Sequence, residues 1–306
     1  MEPFFDWGMF ATILGAREDR NHLEFMRLRS EGEAVLKELR SSGECRITIS
    51  AKFDLAHREG DDIISQDFRL PMFRQHSSGA SSSGTSADGL SLADFVPPSE
   101  YGFDSPMGMF AISVLLPPPP CASEGGQGQS SRPFSRIAST LPASPCASGG
   151  GQARSSRPFS RIGREAQGGW IGPYRRTDTQ DDLVFRAVIL TLAEAASSWL
   201  DEYVKSSIPD GAEFKVIKPA AGYSSCPDHT LKRDILRLLP AADDLGITLL
   251  DSCAMIPEAS ICGLIFIHPE ATYPEIRRLS SSEIDEYATR RGMSDSDKAR
   301  FLGHLI

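Results

Sequence analysis

The sequence predicts an α+β fold, because its candidate strands and helices do not alternate as strand–helix–strand units. Apolar and polar residues alternate from Ile47 to Phe53, which predicts a half-buried strand, and residues 108–116 predict a more fully buried one. Long apolar runs with helical spacing precede and follow these two strands. We therefore expect helices packed against a sheet.

The longest predicted helices have recognisable ends. Apolar residues with near-helical spacing over residues 23–39 predict one helix, and Gly43 follows as its stop signal. Residues 183–204 predict a second, longer amphipathic helix, and Thr179 with Asp182 forms a capping box at its start. This second helix is expected to cover the sheet.

The C-terminal third predicts short elements. A short helix is expected with Pro227 in its first turn and Pro240 after its end. Residues 247–256 and 261–268 read as a pair of strands joined by the intervening turn. Two small closing helices are predicted from capping serines that an acidic residue follows three positions later, Ser280 and Ser294.

Two stretches are too rich in Ser, Gly and Pro to bury a core: residues 76–90 and 117–176. The second contains two copies of a PCAS…SSRPFSRI repeat, starting at Pro120 and Pro145. Two copies with so few apolar anchors cannot stack as a solenoid. We predict a single domain over residues 1–306 that these low-complexity segments interrupt, with a disordered duplication or an Arg-rich docking tail as the two interpretations of the repeat.

Charge and composition exclude several functional classes. A net charge of −9 argues against nucleic-acid binding, which needs a basic surface to neutralise phosphates. Glu2 and Asp6 stand where a secretory signal would carry basic residues, and no run approaches the ~20 apolar residues of a membrane span. We therefore expect a soluble, cytoplasmic protein with no membrane partner, whose six cysteines stay reduced.

No common catalytic signature is present: the sequence has no Gly-rich phosphate loop, no nucleophile elbow and no His-Glu-x-x-His helix. Cys226 and His229 have a Cys-x-x-His spacing that could begin a metal site with Cys253, Cys262 or His268. Zinc sites normally show two compact ligand pairs. We therefore favour capping or core roles for these residues and predict neither a metal site nor catalytic side chains.

Several unusual motifs occur in a characteristic order. FFDWGMF at Phe4 and GDDI at Gly60 precede LADFVPP at Leu92, GMFAIS at Gly108 and LAEA at Leu192. The C-terminal block then adds KPAAGYSSCPDH, AMIPEAS and EIDEYATRRGMS. The series resembles the activation domain of cobalamin-dependent methionine synthase. The resemblance covers nearly all of the chain outside the low-complexity segments, and implies a mainly antiparallel central sheet flanked by helices.

The resemblance also implies a function. In that family the domain binds S-adenosylmethionine and presents its methyl group to cobalamin that has been oxidised, while a flavodoxin-type partner supplies an electron. No cobalamin-binding, homocysteine-zinc or folate module is recognisable in this sequence. We therefore expect a methyltransferase component: a freestanding reactivation protein that acts on a separate corrinoid-binding methionine synthase chain in methionine biosynthesis.

By position in the motifs, six residues resemble the family's ligand contacts. A zwitterionic ligand needs a carboxylate for its ammonium and a cation for its carboxylate, and an adenosine needs backbone bonds and an apolar wall. The acidic contacts are Asp6 and Glu194, the cation is Lys218, and the backbone and aromatic contacts are Gly222, Tyr223 and Tyr273.

Each ligand role has a structural alternative. Asp6 is also placed to cap a helix, Glu194 to be a solvated helix residue, and Tyr223 to pack beside a turn. His229 and His268 are expected to be structural hydrogen-bonding residues.

Three departures from the family pattern concern ligand affinity rather than fold. Lys218 replaces an arginine and offers a point charge instead of a planar fork. Pro274 and Ile256 replace aromatic residues. Two further interpretations therefore stay open: a docking domain for a corrinoid protein that has lost the ligand, and a reactivator of another corrinoid methyltransferase.

Overall fold

The computed structural model describes residues 1–16, 22–43, 45–74, 89–116, 180–208 and 213–306. These residues form two compact units. The predicted low-complexity segment 117–176 lies outside the described residues, and so does 76–90 apart from Gly89 and Leu90. The single-domain assignment stays a prediction. The first unit contains Met1–Thr48, Ser113–Ala195 and Gly246–Ser260, and the second contains Ile49–Ile112, Ala196–Leu245 and Ile261–Ile306.

The helices and strands follow in this order along the chain. The helices are α1 Trp7–Ile13, α2 His22–Ser42, α3 Gln180–Ser206, α4 Leu231–Leu238, α5 Ser281–Arg291 and α6 Asp295–Leu302. The strands are β1 Arg46–Glu59, β2 Asp62–Ile64, β3 Arg69–Pro71, β4 Ser105–Leu115, β5 Lys215–Ile217, β6 Thr248–Leu249, β7 Met255–Ile256 and β8 Ser260–His268.

In the first unit, α1 packs on α2 through aromatic rings. The ring centroids of Trp7 and Phe10 lie 5.3 Å apart in an edge-to-face arrangement. A Cβ on Gly32 of α2 would lie 2.9 Å from ring atoms of both, so only glycine lets these rings lie against the helix backbone. The predicted helix over residues 23–39 is confirmed, and Gly43 follows it with a φ of +65°.

The second unit is built on a six-stranded sheet with the order β3-β2-β1-β4-β8-β5. The β1–β2, β2–β3 and β5–β8 pairs are antiparallel. Together with the surrounding helices this confirms the predicted α+β class. β4 is buried over nearly its whole length, as predicted. Phe53 of β1 was predicted to face the core but is 43% exposed, and its ring lies over Gly108, where a Cβ would be 2.7 Å from it.

The predicted pairing of residues 247–256 with 261–268 is wrong. β6 pairs instead with β7, inside the first segment, with Thr248 opposite Ile256. The chain reverses at Cys253, which has a φ of +59°, and the Leu250 N–H donates to the Ala254 carbonyl at 2.9 Å. β8 joins the six-stranded sheet as the neighbour of β4 and β5.

The closing helices are confirmed and the short helix before them begins later than predicted. Ser280 forms both bonds of a capping box, and Ser294 caps α6. Pro227 was expected in the first turn of α4, but the helix begins at Leu231. The Asp228 carboxylate accepts the Thr230 N–H at 2.7 Å, so that residues 228–230 form a separate turn.

One helix in the described part of the chain, Asp182–Ser206 within α3, is long and apolar enough to cross a bilayer by length and composition alone. The expectation that no run approaches a membrane span was therefore wrong on this criterion. About 61% of its most apolar stretch is buried inside the protein, which is also typical of a core helix in a soluble protein.

Candidate functional site

In the second unit, the segment after β5 runs beside β8 at very short range. The Leu264 N–H donates to the Pro219 carbonyl, and the Ala221 N–H donates to the Cys262 carbonyl, both at 3.0 Å. A Cβ on Gly263 would lie 2.3 Å from the Pro219 oxygen. Glycine at 263 is therefore what allows the segment to approach the strand.

This segment ends in a tight turn at Gly222 and Tyr223. Gly222 has a φ of +98°, a conformation that favours glycine. Its N–H donates to the Cys226 carbonyl at 2.7 Å, and the Cys226 N–H returns to the Tyr223 carbonyl at 2.8 Å. In this turn 63% of Tyr223 is exposed.

Lys218 and Tyr273 are brought together at the start of the same segment. The Lys218 N–H donates to the Tyr273 hydroxyl at 2.9 Å, and Tyr273 is half exposed. The Lys218 ammonium points the other way. It donates to the carbonyl and, at 3.1 Å, to the hydroxyl of Ser197 on α3, and lies 4.0 Å from the Asp201 carboxylate. The predicted cation is thus already engaged with the helix.

His229 lies directly beneath the turn. A Cβ on Gly222 would be 2.4 Å from the His229 ring, so the ring and the glycine backbone are in contact. The ring Nδ1 lies 3.0 Å from the Nζ of Lys232, a buried residue of α4. Burial and the positive charge of Lys232 lower the pKa of His229.

Next to His229, Asp228 organises a buried polar network that sequence reasoning missed. Its carboxylate is 1% exposed and accepts from the Tyr287 hydroxyl at 2.9 Å and from Arg291 Nε at 3.2 Å. Burial, and then the Asp228 charge, raise the pKa of Tyr287, so that its hydroxyl stays protonated as a donor. In the sequence, the polar residues of the CPDHT motif are the signal that could have indicated this network.

The predicted acidic contacts lie in the first unit. Asp6 caps α1, which was its structural alternative: its Oδ1 accepts hydrogen bonds from the N–H groups of Gly8 and Met9. Glu194 is half buried on α3. Lys218, Gly222, Tyr223 and Tyr273 lie in the second unit, where the structure joins Lys218 to Tyr273 and Gly222 to Tyr223. The ligand roles of all six stay predictions.

Comparison with known proteins bears on the fold. Residues 174–292 match the family model described as the vitamin B12 dependent methionine synthase activation domain. A solved structure of the MetH reactivation domain bound to AdoHcy is similar over 100% of this chain and 86% of its own, with a TM-score of 0.72 and 22% sequence identity. This chain has the methionine synthase activation-domain fold. The resemblance read from the motifs is confirmed.

The turn and its supports lie within the part of the chain that matches the activation-domain family. Lys218, Gly222, Tyr223 and Tyr273 all fall between residues 174 and 292. Asp6 lies outside that match, and its comparison with the family rests on the FFDWGMF motif alone.

The motifs with no predicted ligand contact also converge in this activation-domain fold. GDDI, LADF and the end of α5 line one cleft of about 560 Å³ in the second unit. Arg74 binds Asp94 through two bonds of 2.6 and 2.8 Å, and Asp62 accepts from Arg290 and, at 2.7 Å, from Arg69. Five acidic and four basic side chains line the cleft, and these pairs make it an ion-pair network that ties β2 and β3 to α5.

The cysteines of the second unit are buried thiols. Burial raises the pKa of Cys262 to about 12, and burial together with Asp228 raises the pKa of Cys226 further. Among the described residues no three His, Cys, Asp or Glu side chains are grouped to hold a metal ion. The Cys-x-x-His pair consists of a buried thiol and the histidine that supports the turn.

Proposed function

We propose that this chain is an S-adenosylmethionine-binding reactivation component of cobalamin-dependent methionine synthase that serves a separate corrinoid-binding chain. A flavodoxin-type donor would supply the electron, and the cytoplasm would be the compartment. Support comes from the activation-domain family match, which contains the turn, and from the similar MetH reactivation domain, whose structure has AdoHcy bound. Both ligands carry the same adenosine and amino-acid ends.

The observation that carries the proposal is the joint placement of Lys218, Gly222, Tyr223 and Tyr273. Tyr273 is tied to the Lys218 backbone, and the left-handed Gly222 holds Tyr223 out of the protein. Two exposed tyrosine rings beside a bonded backbone turn suit an adenosine, which needs an apolar wall and hydrogen bonds from the main chain. These side chains fit that end of the ligand.

The proposed chemistry asks for no catalytic acid, base or nucleophile from the turn. When bound, S-adenosylmethionine supplies a methyl group that its sulfonium has already activated for transfer to the cobalamin of the partner. The chain itself needs only to bind the ligand and fix its orientation. Tyr223 and Tyr273 would form the wall, and the Gly222 turn would bring main-chain groups to the ligand.

One observation favours the alternative of a docking domain that has lost the ligand. The Lys218 side chain is about nine-tenths buried, and its ammonium is occupied by Ser197 and Asp201. A ligand carboxylate would have to compete with these partners for the cation. A reactivator of another corrinoid methyltransferase would use the same turn and differ only in its partner.

Calorimetric titration with S-adenosylmethionine and with AdoHcy tests ligand binding. We expect binding by the wild type and an affinity about tenfold weaker in Tyr223→Ala, which removes one wall. Tyr273→Phe keeps the ring and removes the acceptor for Lys218, so a loss of about fivefold is expected. Absence of heat with the wild type at about millimolar ligand would refute ligand binding.

Asp6 needs a matched pair of variants, because its carboxylate caps α1. Asparagine caps helices as well as aspartate does, whereas alanine does not. If Asp6 contacts the ligand ammonium, Asp6→Asn weakens affinity while leaving the unfolding curve unchanged. If it is only a cap, Asp6→Asn binds like the wild type and only Asp6→Ala is destabilised.

Capture by a corrinoid-binding methionine synthase chain that lacks its own activation region separates the remaining alternatives. The proposed function predicts capture that S-adenosylmethionine strengthens. A pure docking domain predicts capture with no ligand dependence. Failure of capture with that chain, together with capture by another corrinoid methyltransferase, would redirect the function to the latter.

A further inference from the structure

The ring of His229 is the floor of the Gly222–Tyr223 turn. A Cβ at Gly222 would be 2.4 Å from Cε1 and 2.5 Å from Nδ1 of the ring, so the glycine backbone rests on the imidazole. The N–H groups of Gly222, Tyr223 and Cys226 close the turn, and its Ser224 carbonyl accepts from the Ile276 N–H at 3.0 Å. Because the ring is in contact with the Gly222 backbone, we expect a change in the position of the ring to move the turn.

Lys232 fixes the position of the ring. The Lys232 ammonium can donate hydrogen bonds but cannot accept them, and its Nζ lies 3.0 Å from Nδ1 of His229. The bond requires a lone pair on Nδ1, which assigns His229 as the neutral tautomer with its proton on Nε2. Lys232 is itself buried at 7% exposure on α4, so the pair is held by the fold and not by mobile surface side chains.

Three charged or titratable groups face His229 from the elements around it. Lys232 of α4 and His304 of the C-terminal turn Gly303–Leu305 disfavour its protonation, and Asp228 on the same loop favours it. Asp228 already accepts hydrogen bonds from Thr230, Tyr287 and Arg291. The net result is a pKa of His229 below its usual 6.5, with burial as the largest cause.

We propose that His229 is a positioning residue for the ligand site: its neutral ring, held by Lys232, keeps the Gly222–Tyr223 turn in its binding shape, and protonation of the ring releases the turn. A second proton would place two positive charges 3.0 Å apart and remove the acceptor of the Lys232 bond. Affinity for the sulfonium nucleotide then depends on pH. This inference rests on the proposed function and extends it to a pH-sensitive support.

The direction follows from the lowered pKa. The neutral ring is present in full above the ordinary histidine value, and its contribution is lost as the pH falls through the lower pKa of the folded protein. We expect affinity for AdoHcy to fall by about fivefold or more as the pH is lowered from about 7 through the lowered pKa of His229, because one charge-assisted hydrogen bond is lost.

Two variants give opposite signatures. His229→Asn keeps an acceptor where Nδ1 stood but does not titrate, so its affinity is expected to lose this pH dependence. Lys232→Met removes the neighbouring charge, so the pKa of His229 rises and the loss of affinity moves to a higher pH. His268→Asn is the matched control, because His268 is another half-buried histidine, whose Nδ1 accepts from the Glu270 N–H. The affinity of His268→Asn for AdoHcy should have the same pH dependence as that of the wild type.

The experiment combines AdoHcy titration at each pH with hydrogen exchange of the Gly222 and Cys226 amides in the ligand-free protein. Protection factors, corrected for the intrinsic pH dependence, are expected to fall with pH in the wild type and not in His229→Asn. Equal pH dependence of affinity in both proteins overturns the inference. So does a His229→Asn protein that fails to bind while its turn stays protected.

The exchange arm separates this inference from the proposed function. If the wild type binds no AdoHcy at any pH, the proposed function fails, and the exchange of the turn still decides the role of His229. If the wild type binds and the two proteins share one exchange profile, the support role fails and the proposed function stands.

Discussion

Removal of the Asp228 carboxylate is expected to destabilise the second unit by about 4 kcal/mol. Asp228 is 1% exposed and accepts from the Thr230 N–H, the Tyr287 hydroxyl and Arg291 Nε. In Asp228→Ala these donors lose their acceptor inside the protein, and each unsatisfied buried donor costs about 1–3 kcal/mol. Arg291 keeps its ion pair with Asp234 at 2.8 Å, so we place the total loss of stability in the lower half of the sum of these three costs.

A double-mutant cycle isolates one contact of this network. Tyr287→Phe removes only the hydroxyl and keeps the ring that stacks on Phe73, with centroids 3.6 Å apart. A hydrogen bond to a charged group predicts a cost of about 1.5–3 kcal/mol for this single change. Because the two groups touch, the coupling energy between Asp228→Ala and Tyr287→Phe should be about 1–2 kcal/mol.

Denaturant unfolding measures these energies, with far-UV circular dichroism as one probe and pulse labelling of the buried Cys226 thiol as a probe local to the second unit. Asp228→Asn is the milder companion variant, since it keeps one acceptor oxygen. A loss below about 1 kcal/mol for Asp228→Ala, with coupling near zero, would refute the network as a source of stability.

Three further outcomes are expected. Gly263→Ala places a Cβ 2.3 Å from the Pro219 carbonyl and should cost about 2–3 kcal/mol in thermal or denaturant unfolding, whereas Gly303→Ala, with open space around it, should be nearly neutral. Burial would raise the pKa of Asp94, but its Arg74 partner lowers it below 3.8. The wild type should therefore lose stability as the pH falls through that lowered pKa, and Asp94→Asn should lose less. Unfolding at successive pH values measures the difference. Cys262, with a pKa of about 12, should react with a thiol reagent at about pH 8 only at the rate of unfolding.

The sequence predicted the helices whose ends carry a capping residue or a glycine stop signal. Ser280 and Glu283 form both bonds of the predicted capping box, because a serine hydroxyl and a glutamate three residues later satisfy two otherwise unpaired donors. Gly43 has the left-handed conformation expected after a helix. These features depend on a few neighbouring residues, so the sequence alone is enough to predict them.

Pairings that depend on distant residues were not predictable in the same way. The apolar run at residues 247–256 looked like one strand, because nothing in its composition marks Cys253 as a left-handed residue. The start of α4 depends on Asp228 accepting the Thr230 N–H, and Asp228 is held by side chains 59 and 63 positions away. Such contacts exist only once the tertiary fold has formed.

The same difference between local signals and distant contacts applies to the candidate site. Gly222 and Tyr223 were found from their motif, and the structure explains the glycine by its φ of +98° and by the His229 ring against it. His229 and Lys232 are three residues apart and contact each other locally, but the contact of the His229 ring with Gly222 requires the fold. The sequence identified the turn and indicated a structural role for His229, but not the contact of its ring with Gly222 or its bond to Lys232.

Lys218 decides how strongly such a site could bind. Sequence comparison treats it as a weaker substitute for arginine, but its ammonium is already bonded to Ser197 and lies beside Asp201. Withdrawing it from a charge-assisted hydrogen bond costs about 1.5–3 kcal/mol, which corresponds to roughly ten- to a hundredfold in affinity. If the lysine must turn to the ligand, Ser197 and Asp201 compete with the carboxylate, and Asp201→Asn should strengthen binding. If affinity in Asp201→Asn is unchanged, the ligand is held by the tyrosines and the backbone of the turn, and Lys218 is a structural residue of this fold.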